Sequence, residues 1–441
     1  MTSWEAPVPS GPVEAEIVVP GSKSATARAL VLSALADGPG TIRGGLRARD
    51  TDLMISGLTA LGGFVEDRVL DMGDQEPDAY RDRDVCLNPD MCPGNEVWAC
   101  RPIENSPAEA EIDCGLAGTV MRFLPPVAAL SSSSVLFTGD EAASARPMAP
   151  LCEALAQLGA QVKGSFLPLR VTGPVTGHEV RIDSSSSSQF ISALLLSGPR
   201  FPHGVRIIHT GGPVPSLPHI QMTIAALRSR GVDVGQDGTV WEVQASPIAA
   251  LDEIIEPDLT TAAVFLAAAL VAGGRVTVPG WPAHTTQPGV RVTDILQAMG
   301  ASVTISDGRA TVSGTGDIAG TDIDLHDTSE LTPVVAALAA LASTPSTIRG
   351  VGHIRGHETN RLAALSTQIT ALGGNCRETE DGLAITPTTL QPGVFRTYAD
   401  HRMAHAGALI GLRVPGITLD DIECTSKTMP GFSRVWEAMA R

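Results

Sequence analysis

The chain has 441 residues, which is enough for two domains, because single hydrophobic cores stop growing at about 250–300 residues. Hydrophobic residues make up 43% of the chain and charged residues 18%, which fits a packed globular protein and excludes a disordered one. The formal net charge of −17 argues against nucleic acids and anionic membranes as partners. The most apolar run, residues 262–272, is shorter than the ~18 residues of a membrane span.

The N-terminus and the cysteines indicate where the protein resides. The sequence begins MTSWE and has no basic region followed by an apolar stretch, so we do not expect a secretory signal. Seven cysteines, an odd number, favour a reducing compartment over a disulfide framework, and we expect a cytoplasmic protein. Cys86, Cys92 and Cys100 lie close together without forming a CxxC pair, so we interpret them as reduced surface thiols rather than a zinc site.

Acidic residues are concentrated in one segment. Between Asp71 and Asp113 there are twelve Asp or Glu residues and three Arg residues, so this segment holds more than half of the net charge. It is rich in Pro, Asp and Asn and has no periodicity. We predict that residues 71–110 are an insertion that forms a mobile surface loop without a catalytic role.

An internal repeat organises the rest of the chain. Its pattern is a polar start, an Ala- and Leu-rich helix, a turn containing Gly, and a β-branched strand. A second amphipathic helix, closed by Gly and followed by another strand, lies between the copies. From the second copy onward the spacing is about 70 residues, and the acidic segment lengthens the first interval. The six copies begin at Ser22, Ala117, Ser187, Leu259, Glu330 and Tyr398.

The repeat predicts an α/β fold with six units, three in each half of the protein. The last unit ends at Arg441 without the strands that should follow its final helix. The extended run from Val13 to Val19 could supply a strand from the other terminus. We therefore expect residues 21–254 to form one domain, and residues 1–20 together with 255–441 to form the other.

Polar residues come just before the apolar helix in every unit. Ser, Thr and Asp at such positions can be ordinary helix caps. Caps do not account for the cations there, because a cation opposes the positive end of the helix dipole, whereas a bound anion would account for them. We expect these helix N-termini to hold phosphate and carboxylate groups in a cleft between the two halves. The cations are Lys23, Arg28, Arg122 and Arg402.

Further charged residues lie in loops bracketed by Gly or Pro, where ligand-binding residues are common. We find no Walker A motif, no GxGxxG after a strand, no HExxH, no paired CxxC and no GxSxG. The pattern favours cationic clamps for anions, with carboxylates for acid–base chemistry, rather than a cofactor or a covalent nucleophile. The loop residues are Arg146, His353, Arg355, His357, Glu358, Arg361 and Lys427.

Several motifs, in this order, resemble those of the 5-enolpyruvylshikimate-3-phosphate (EPSP) synthase family over essentially the whole chain. The resemblance implies an inside-out α/β barrel of two domains, each with three βαβαββ repeats. It also implies transfer of the enolpyruvyl group of phosphoenolpyruvate to the 5-hydroxyl of shikimate 3-phosphate, in the shikimate pathway of aromatic amino acid biosynthesis, without cofactor or metal. The motifs are PGSKS from Pro20, LAGTVMR from Leu116, RPM from Arg146, SSQF from Ser187, GHET from Gly356, DHRMA from Asp400 and TSKT from Thr425.

The resemblance also implies roles for residues at matching positions. Glu330 would receive the proton of the 5-hydroxyl, Glu358 would act as acid and base at the methylene carbon, and Lys23 would touch both substrates. The first domain would anchor shikimate 3-phosphate, and the second would supply most of the phosphoenolpyruvate clamp. Residues for shikimate 3-phosphate are Lys23, Ser24, Arg28, Ser187, Ser188, Gln189, Ser216, Glu330, His353 and His357. Residues for phosphoenolpyruvate are Lys23, Gly118, Arg146, Gln189, Arg361, Arg402 and Lys427. We expect a monomer whose partners are these small molecules.

The sequence departs from the family pattern at a few positions. Ala27 stands where Asn is usual, Asn360 where Asp is usual, and His357 where many relatives have Lys, and an acidic residue is missing near Gly431. We expect the first two changes to remove partners of two clamp arginines. The sequence leaves two alternative functions to weigh: a related enolpyruvyl transferase acting on a nucleotide sugar, and a catalytically inactive binding protein. The first uses a loop cysteine that is missing before Arg146, and the second has no need of both carboxylates.

Overall fold

The structure of the protein is a computed structural model that describes residues 3–69 and 96–441. Within this part of the chain, no helix is both long enough and apolar enough to cross a membrane. The helices are α1 Lys23–Ala34, α2 Arg49–Ala60, α3 Gly118–Ala128, α4 Glu141–Ser144, α5 Ala149–Gln157, α6 Gln189–Ser197, α7 Pro218–Arg228, α8 Leu259–Ala272, α9 Val292–Ala298, α10 Thr332–Leu341, α11 Arg361–Ala371, α12 His401–Gly411 and α13 Phe432–Met439.

The strands are mostly short. They are β1 Trp4–Glu5, β2 Val13–Glu16, β3 Gly40–Arg43, β4 Phe64–Val69, β5 Glu96–Arg101, β6 Glu109–Asp113, β7 Ser134–Thr138, β8 Gln161–Lys163, β9 Leu169–Thr172, β10 Glu179–Ile182, β11 Val205–His209, β12 Val234–Asp237, β13 Val240–Val243, β14 Glu253–Ile254, β15 Gly274–Pro279, β16 Ser302–Ser306, β17 Arg309–Gly314, β18 Asp322–Asp324, β19 Ser346–Arg349, β20 Asn375–Glu378, β21 Leu383–Thr386, β22 Gly393–Phe395 and β23 Ile417–Leu419.

The repeating unit is βαβαββ, and the residues from β10 to β13 show it clearly. Strands β10 and β11 are parallel and are joined by α6, with Val180 opposite Ile207. After α7 the chain returns as β12 and β13, and β13 pairs antiparallel with β11. The same order recurs along the chain, so the α/β fold indicated by the sequence is confirmed.

The described residues form two compact units. One unit contains residues 22–69 and 96–255, with sheets in the order β14-β3-β5-β4, β6-β7-β9-β8 and β10-β11-β13-β12. The other contains residues 3–21 and 256–441, with sheets in the order β2-β15-β17-β16, β18-β19-β21-β20 and β22-β23-β1. We call the first the N-terminal unit and the second the C-terminal unit.

Each unit places helices inside its sheets. In the C-terminal unit, α8, α10 and α12 contact one another, and α8 is apolar on all sides and almost entirely buried. In the N-terminal unit, α1, α3 and α6 contact one another in the same way. A helix that is apolar all round must be buried, which explains why the Ala- and Leu-rich helices lie at the centre of each unit.

The N-terminal residues join the C-terminal unit through two strands, and one detail of the sequence prediction was wrong. The run that begins at Val13 forms β2, which pairs in parallel with β15 and so completes the fourth repeat. The last repeat is completed by β1 instead, where Trp4 lies opposite Leu419. Strand β1 was missed because a strand of two residues has no periodic pattern that could be recognised in the sequence.

The prediction of an insertion over residues 71–110 was wrong at its C-terminal end. Strand β5 lies within that range and is central to its sheet, pairing antiparallel with both β3 and β4. Trp98 on this strand is 1% exposed, and Cys100 is buried rather than a surface thiol. Residues 70–95, including Cys86 and Cys92, lie outside the described residues.

Candidate active site

In the C-terminal unit, the N-termini of the three central helices meet. Arg402, in the first turn of α12, donates from Nη1 to the backbone oxygen of Thr260 in the first turn of α8, at 3.0 Å. Its Nε lies 3.5 Å from Oε2 of Glu330, two residues before α10 begins. Positive helix ends gathered in this way favour bound anions.

Arg361 is the centre of this cluster and is 1% exposed. It begins α11, and its Nε and Nη2 donate to the two carboxylate oxygens of Asp400 at 2.8 and 3.2 Å. Nη1 donates to Oε2 of Glu330 at 2.9 Å, and Nη2 donates to Oε2 of Glu358 at 3.0 Å. These carboxylates raise the pKa of Arg361 well above its usual value, although burial acts in the opposite direction and is the largest single effect.

The two carboxylates predicted to be catalytic therefore share one guanidinium. Glu358 is also bound by Lys427, whose Nζ lies 2.8 Å from Oε1 of Glu358. Both side chains of this pair are largely buried, with exposures of 10% for Glu358 and 13% for Lys427. The structure thus brings Glu330, Glu358, Arg361 and Lys427 into one connected network.

The carboxylate of Glu330 is held in its charged form. Burial alone would raise its pKa, but the positive charges of Arg361, His357 and Arg402 outweigh burial, and the pKa lies well below the usual value for Glu. Glu330 sits in a 3₁₀ turn, His326–Leu331, that precedes α10. The N-cap of α10 is Leu331 and makes no side-chain capping bond, so the position of Glu330 near the helix start is not that of an ordinary cap.

Histidines line one side of this network. Nδ1 of His357 lies 3.0 Å from Nη1 of Arg361 and 3.7 Å from Oε1 of Glu330. The ring of His353 lies 6.1 Å from that of His357 and 5.7 Å from that of His326, edge to face in both cases. Burial, reinforced by His326, lowers the pKa of His353 to about 4, so this ring is neutral at pH 7.

In the N-terminal unit, Arg28 is a buried cation whose described partners are all neutral. Its Nε donates to Oγ1 of Thr223, and its two terminal nitrogens donate to the backbone oxygens of Ser24 and His219, each at 2.8 Å. The guanidinium also lies over the ring of Phe123, 5.5 Å from its centre. Burial lowers the pKa of Arg28 to about 9, so the group stays charged at pH 7.

Arg146 and Gly118 also lie in the N-terminal unit, beside the start of α3. Arg146 is 8% exposed and donates from Nη1 to the backbone oxygen of Leu116 at 3.2 Å. Its Nε is buried and has no hydrogen-bond partner among the described residues. A guanidinium with these contacts keeps its positive charge available to an anion.

Gln189 and the serines before it lie at the start of α6. Oε1 of Gln189 accepts a hydrogen bond from Nη1 of Arg122 at 2.7 Å, which links α3 to the first turn of α6. Oγ of Ser187 accepts from the backbone N–H of Gln189 at 3.2 Å, and Ser188 is 5% exposed. Ser216 has a φ of 50°, a conformation uncommon for a residue other than Gly.

Lys23 begins α1, and its Nζ lies 3.4 Å from Oδ2 of Asp50, which is buried at the start of α2.

The candidate residues are divided between the two units. Those in the N-terminal unit are Lys23, Ser24, Arg28, Gly118, Arg146, Ser187, Ser188, Gln189 and Ser216. Those in the C-terminal unit are Glu330, His353, His357, Glu358, Arg361, Arg402 and Lys427.

The departures from the family pattern leave both arginines hydrogen-bonded. Asn360 caps α11 by accepting from the backbone N–H of Ala363 at 3.1 Å, and Asp400 holds Arg361 from the other side. Arg28 likewise has three hydrogen bonds beside Ala27. The changes at Ala27 and Asn360 therefore leave both arginines with other hydrogen-bond partners. Gly431 has a φ of 74° at the start of α13, a conformation that favours Gly.

Sequence reasoning missed three residues that support these clusters. Asp400 is one of the Asp residues that can cap a helix, and it does accept from the backbone N–H of Arg402 at 2.9 Å, but it also binds Arg361. Asp50 pairs with Lys23 from another helix. His209 accepts from the backbone N–H of Ser184 at Nδ1, 3.2 Å away, and its Nε2 lies 2.5 Å from the backbone oxygen of Gly212. No motif marks Asp50 or His209, and their partners Lys23 and Ser184 are distant in sequence.

The arrangement in the C-terminal unit suits acid–base chemistry on an anionic substrate. Two carboxylates, those of Glu330 and Glu358, bind one guanidinium. One of them could accept a proton from a bound molecule while the other donates a proton to it. Arg402 and Lys427 add positive charge beside them, which suits a substrate that carries phosphate or carboxylate groups. Among the described residues, no group of His, Cys, Asp and Glu is arranged to hold a metal ion.

Comparison with known proteins agrees with this chemistry. The family model of EPSP synthase (3-phosphoshikimate 1-carboxyvinyltransferase) matches residues 7–81 and 93–436, leaving out residues 82–92. A 3-phosphoshikimate 1-carboxyvinyltransferase of Mycobacterium ulcerans (strain Agy99) is 51% identical over 447 aligned positions, covering 99% of this chain and 97% of the relative.

Solved structures share the fold. An EPSP synthase from Acinetobacter baumannii is 22% identical with a TM-score of 0.75, covering all of this chain and 98% of that one. The enolpyruvyl transferase NikO from Streptomyces tendae is 17% identical with a TM-score of 0.71, covering 99% of this chain and 97% of that one. On the evidence of the family match and the relative at 51% identity, the chain belongs to the EPSP synthase (3-phosphoshikimate 1-carboxyvinyltransferase) family.

Proposed function

We infer that this chain is a transferase that moves the enolpyruvyl group of phosphoenolpyruvate to the 5-hydroxyl of shikimate 3-phosphate. The products are 5-enolpyruvylshikimate 3-phosphate and inorganic phosphate. The observation that carries this inference is the pair of carboxylates, Glu330 and Glu358, bound to the two terminal nitrogens of Arg361.

Glu330 is the base in this proposal. Its depressed pKa keeps it ionised, so it can accept the proton of the 5-hydroxyl as that oxygen attacks. Arg361, Arg402 and His357 around it stabilise the carboxylate and orient it. The side chain of Glu330 is 29% exposed, which leaves room for a substrate hydroxyl to reach it.

Glu358 is the acid in the first half of the reaction. It protonates the methylene carbon of phosphoenolpyruvate, while the 5-hydroxyl oxygen bonds to the neighbouring enol carbon. In the second half it removes a proton from the new methyl group as the carbon–oxygen bond to phosphate breaks, which re-forms the carbon–carbon double bond and gives the enol ether of the product. Phosphate bound to Lys427 and Arg361 would compete for the cations that now hold Glu358, and this competition favours the protonated carboxyl.

The cations of both units bind the charged parts of the substrates in this proposal. Arg28 and Arg146 make their described hydrogen bonds to neutral groups, so an anionic ligand would supply the missing counter-charge. Lys23, Gly118, Gln189, Arg361, Arg402 and Lys427 contact phosphoenolpyruvate together with Arg146. Lys23, Ser24, Arg28, Ser187, Ser188, Gln189, Ser216, Glu330, His353 and His357 contact shikimate 3-phosphate.

A coupled assay of phosphate release tests the proposal and separates it from the alternatives. The expected result is phosphate release that requires phosphoenolpyruvate and shikimate 3-phosphate together. Release with a nucleotide sugar in place of shikimate 3-phosphate would support the related transferase. Tight binding of shikimate 3-phosphate by calorimetry without any release would support an inactive binding protein.

Residence in the cytoplasm and a monomeric state belong to the same proposal. The cysteines of the described residues are all free, and four of the five are buried, which suits a reducing compartment. Size-exclusion chromatography with light scattering tests the monomer, and a mass that varies with protein concentration would contradict it.

A further inference from the structure

The turn before α12 contains two non-glycine residues in the left-handed region. Tyr398 has a φ of 56° and Ala399 a φ of 54°, and the backbone N–H of Asp400 donates across them to the oxygen of Thr397 at 3.0 Å. Turns with positive φ at both central residues favour Asn and Gly, because a larger side chain meets the backbone there. Such a conformation persists only where the surrounding structure holds it, and it often lies at a functional site.

Asp400, at the end of this turn, is bound by Arg361. The side chains of Asp420 and Gln368 also hold the turn. Oδ1 of Asp420 accepts from the backbone N–H and from Oγ1 of Thr397, at 2.8 and 3.0 Å. Gln368, which is 4% exposed, donates from Nε2 to the hydroxyl of Tyr398 at 2.7 Å. Its Oε1 accepts from the backbone N–H of Arg396 at 2.9 Å.

Gln368 and Arg361 lie on the same helix, α11, seven residues apart. Residues at this spacing lie on one face, so α11 contacts the segment before α12 at two places. Arg361 binds Asp400 at the end of the turn, and Gln368 binds Arg396 and Tyr398 ahead of it. The position of Asp400 is therefore fixed from both ends of the turn.

Asp400 in turn orients two arginines. It accepts two hydrogen bonds from Arg361 and one from the backbone N–H of Arg402. We propose that Gln368 and Tyr398 are positioning residues that hold this strained turn and so aim Arg361 and Arg402 at phosphoenolpyruvate. The inference rests on the proposed function, in which these two arginines bind that substrate.

The test uses the full chain and begins with turnover of the wild type, because an inactive wild type would overturn the proposed function rather than the positioning role. Gln368→Met removes both hydrogen bonds at similar volume, and Tyr398→Phe removes one of them. We expect KM for phosphoenolpyruvate to rise about tenfold in Gln368→Met and about threefold in Tyr398→Phe. The Kd of shikimate 3-phosphate, measured by calorimetry, should change less than about twofold.

A double variant links the two residues to one another. Once Gln368→Met is present the shared hydrogen bond is absent, so adding Tyr398→Phe should raise KM no further. Gln157→Met is the matched control, because Gln157 makes the same kind of contact: its side chain donates to and accepts from the backbone of Arg181, both at 2.9 Å. It lies in the N-terminal unit, and the change should lower Tm without altering KM.

A purely structural role would give a different result. Gln368→Met would then lower Tm while KM for phosphoenolpyruvate stayed at the wild-type value, and that outcome would overturn the proposal. Should Gln368→Met not fold, Tyr398→Phe decides alone, because Tyr398 is 41% exposed and the change removes only a hydroxyl. An unchanged KM in Tyr398→Phe would equally overturn it.

Discussion

Gly118 lies directly against the guanidinium of Arg146. A Cβ added at Gly118 would stand 2.9 Å from Nη2 and 3.0 Å from Nη1 of the arginine, closer than such atoms approach without a shift. The atoms in its way are the far end of a side chain rather than backbone. Glycine at this position therefore leaves the space that the arginine occupies.

Gly118→Ala should accordingly displace Arg146 without unfolding the protein. Since the lost contact is charge-assisted, we expect KM for phosphoenolpyruvate to rise by about tenfold or more, with Tm close to that of the wild type. Gly235→Ala is the control, because a Cβ there meets only the backbone oxygen of Glu242 at 3.8 Å. Equal KM values in the wild type and Gly118→Ala would show that Arg146 does not bind this substrate.

His209 supports the serine segment in front of α6. Its Nδ1 accepts from the backbone N–H of Ser184, and its Nε2 contacts the backbone oxygen of Gly212. We predict that His209→Leu raises KM for shikimate 3-phosphate by about threefold to tenfold, because the segment that contains Ser187 and Ser188 loses one anchor. His209→Gln has both a donor and an acceptor and should restore most of the affinity. A drop in Tm with unchanged KM in His209→Leu would limit the residue to a structural role.

The buried side chain of His405 should make the stability of the folded protein depend on pH. It is fully buried against Phe432 and His401, and neither ring nitrogen has a hydrogen-bond partner among the described residues. Burial, reinforced by the charges of Arg402 and Arg361, lowers its pKa well below the usual value. In the unfolded chain histidine titrates near pH 6.5, so below that pH the unfolded state binds an additional proton.

Stability should therefore be highest above about pH 6.5 and fall as the pH decreases toward 5. In that range, His405 alone should lower the free energy of unfolding by about 1.4 kcal/mol for each unit by which the pH decreases. His353, with its pKa of about 4, acts in the same direction. We predict that urea unfolding of His405→Leu shows a smaller loss between pH 7.5 and 5.5 than the wild type. An identical loss in both proteins would mean that His405 can be protonated in the folded state.

The repeated architecture could be predicted from the sequence because its signals are local. Each central helix is rich in apolar residues, each second helix is followed by Gly, and the spacing recurs. The strands that complete a repeat from a distant part of the chain were harder to predict. Strand β5 was hidden because its residues, from Glu96 to Arg101, lie in an acidic stretch that resembles a loop.

The candidate site could be predicted only as far as motifs mark it. Glu358 stands in the GHET motif, Arg361 follows that motif, and Glu330 begins the fifth repeat, whereas the contacts that orient these residues come from other elements. Asp400 looked like a helix cap, and only the fold shows that it also binds Arg361. Gln368 carries no signal at all, since a glutamine inside an amphipathic helix is usually a surface residue.

Glu330 provides the most direct test of the account as a whole. In Glu330→Gln the amide keeps the shape of the side chain and can still hydrogen-bond the 5-hydroxyl, but it cannot accept its proton. Loss of a general base lowers the rate by about 10²–10⁴-fold. Binding of shikimate 3-phosphate should be nearly normal, so the change should appear in kcat rather than in Kd.

The decisive measurement is kcat for phosphate release by the wild type and Glu330→Gln, with both substrates at saturation. Calorimetry with shikimate 3-phosphate and thermal unfolding of both proteins serve as controls for binding and folding. We predict turnover by the wild type that requires both substrates, and a kcat for Glu330→Gln at least ~10²-fold lower. An undiminished kcat in the folded variant would contradict the assignment of Glu330 as the base, and a wild type without turnover would contradict the proposed function.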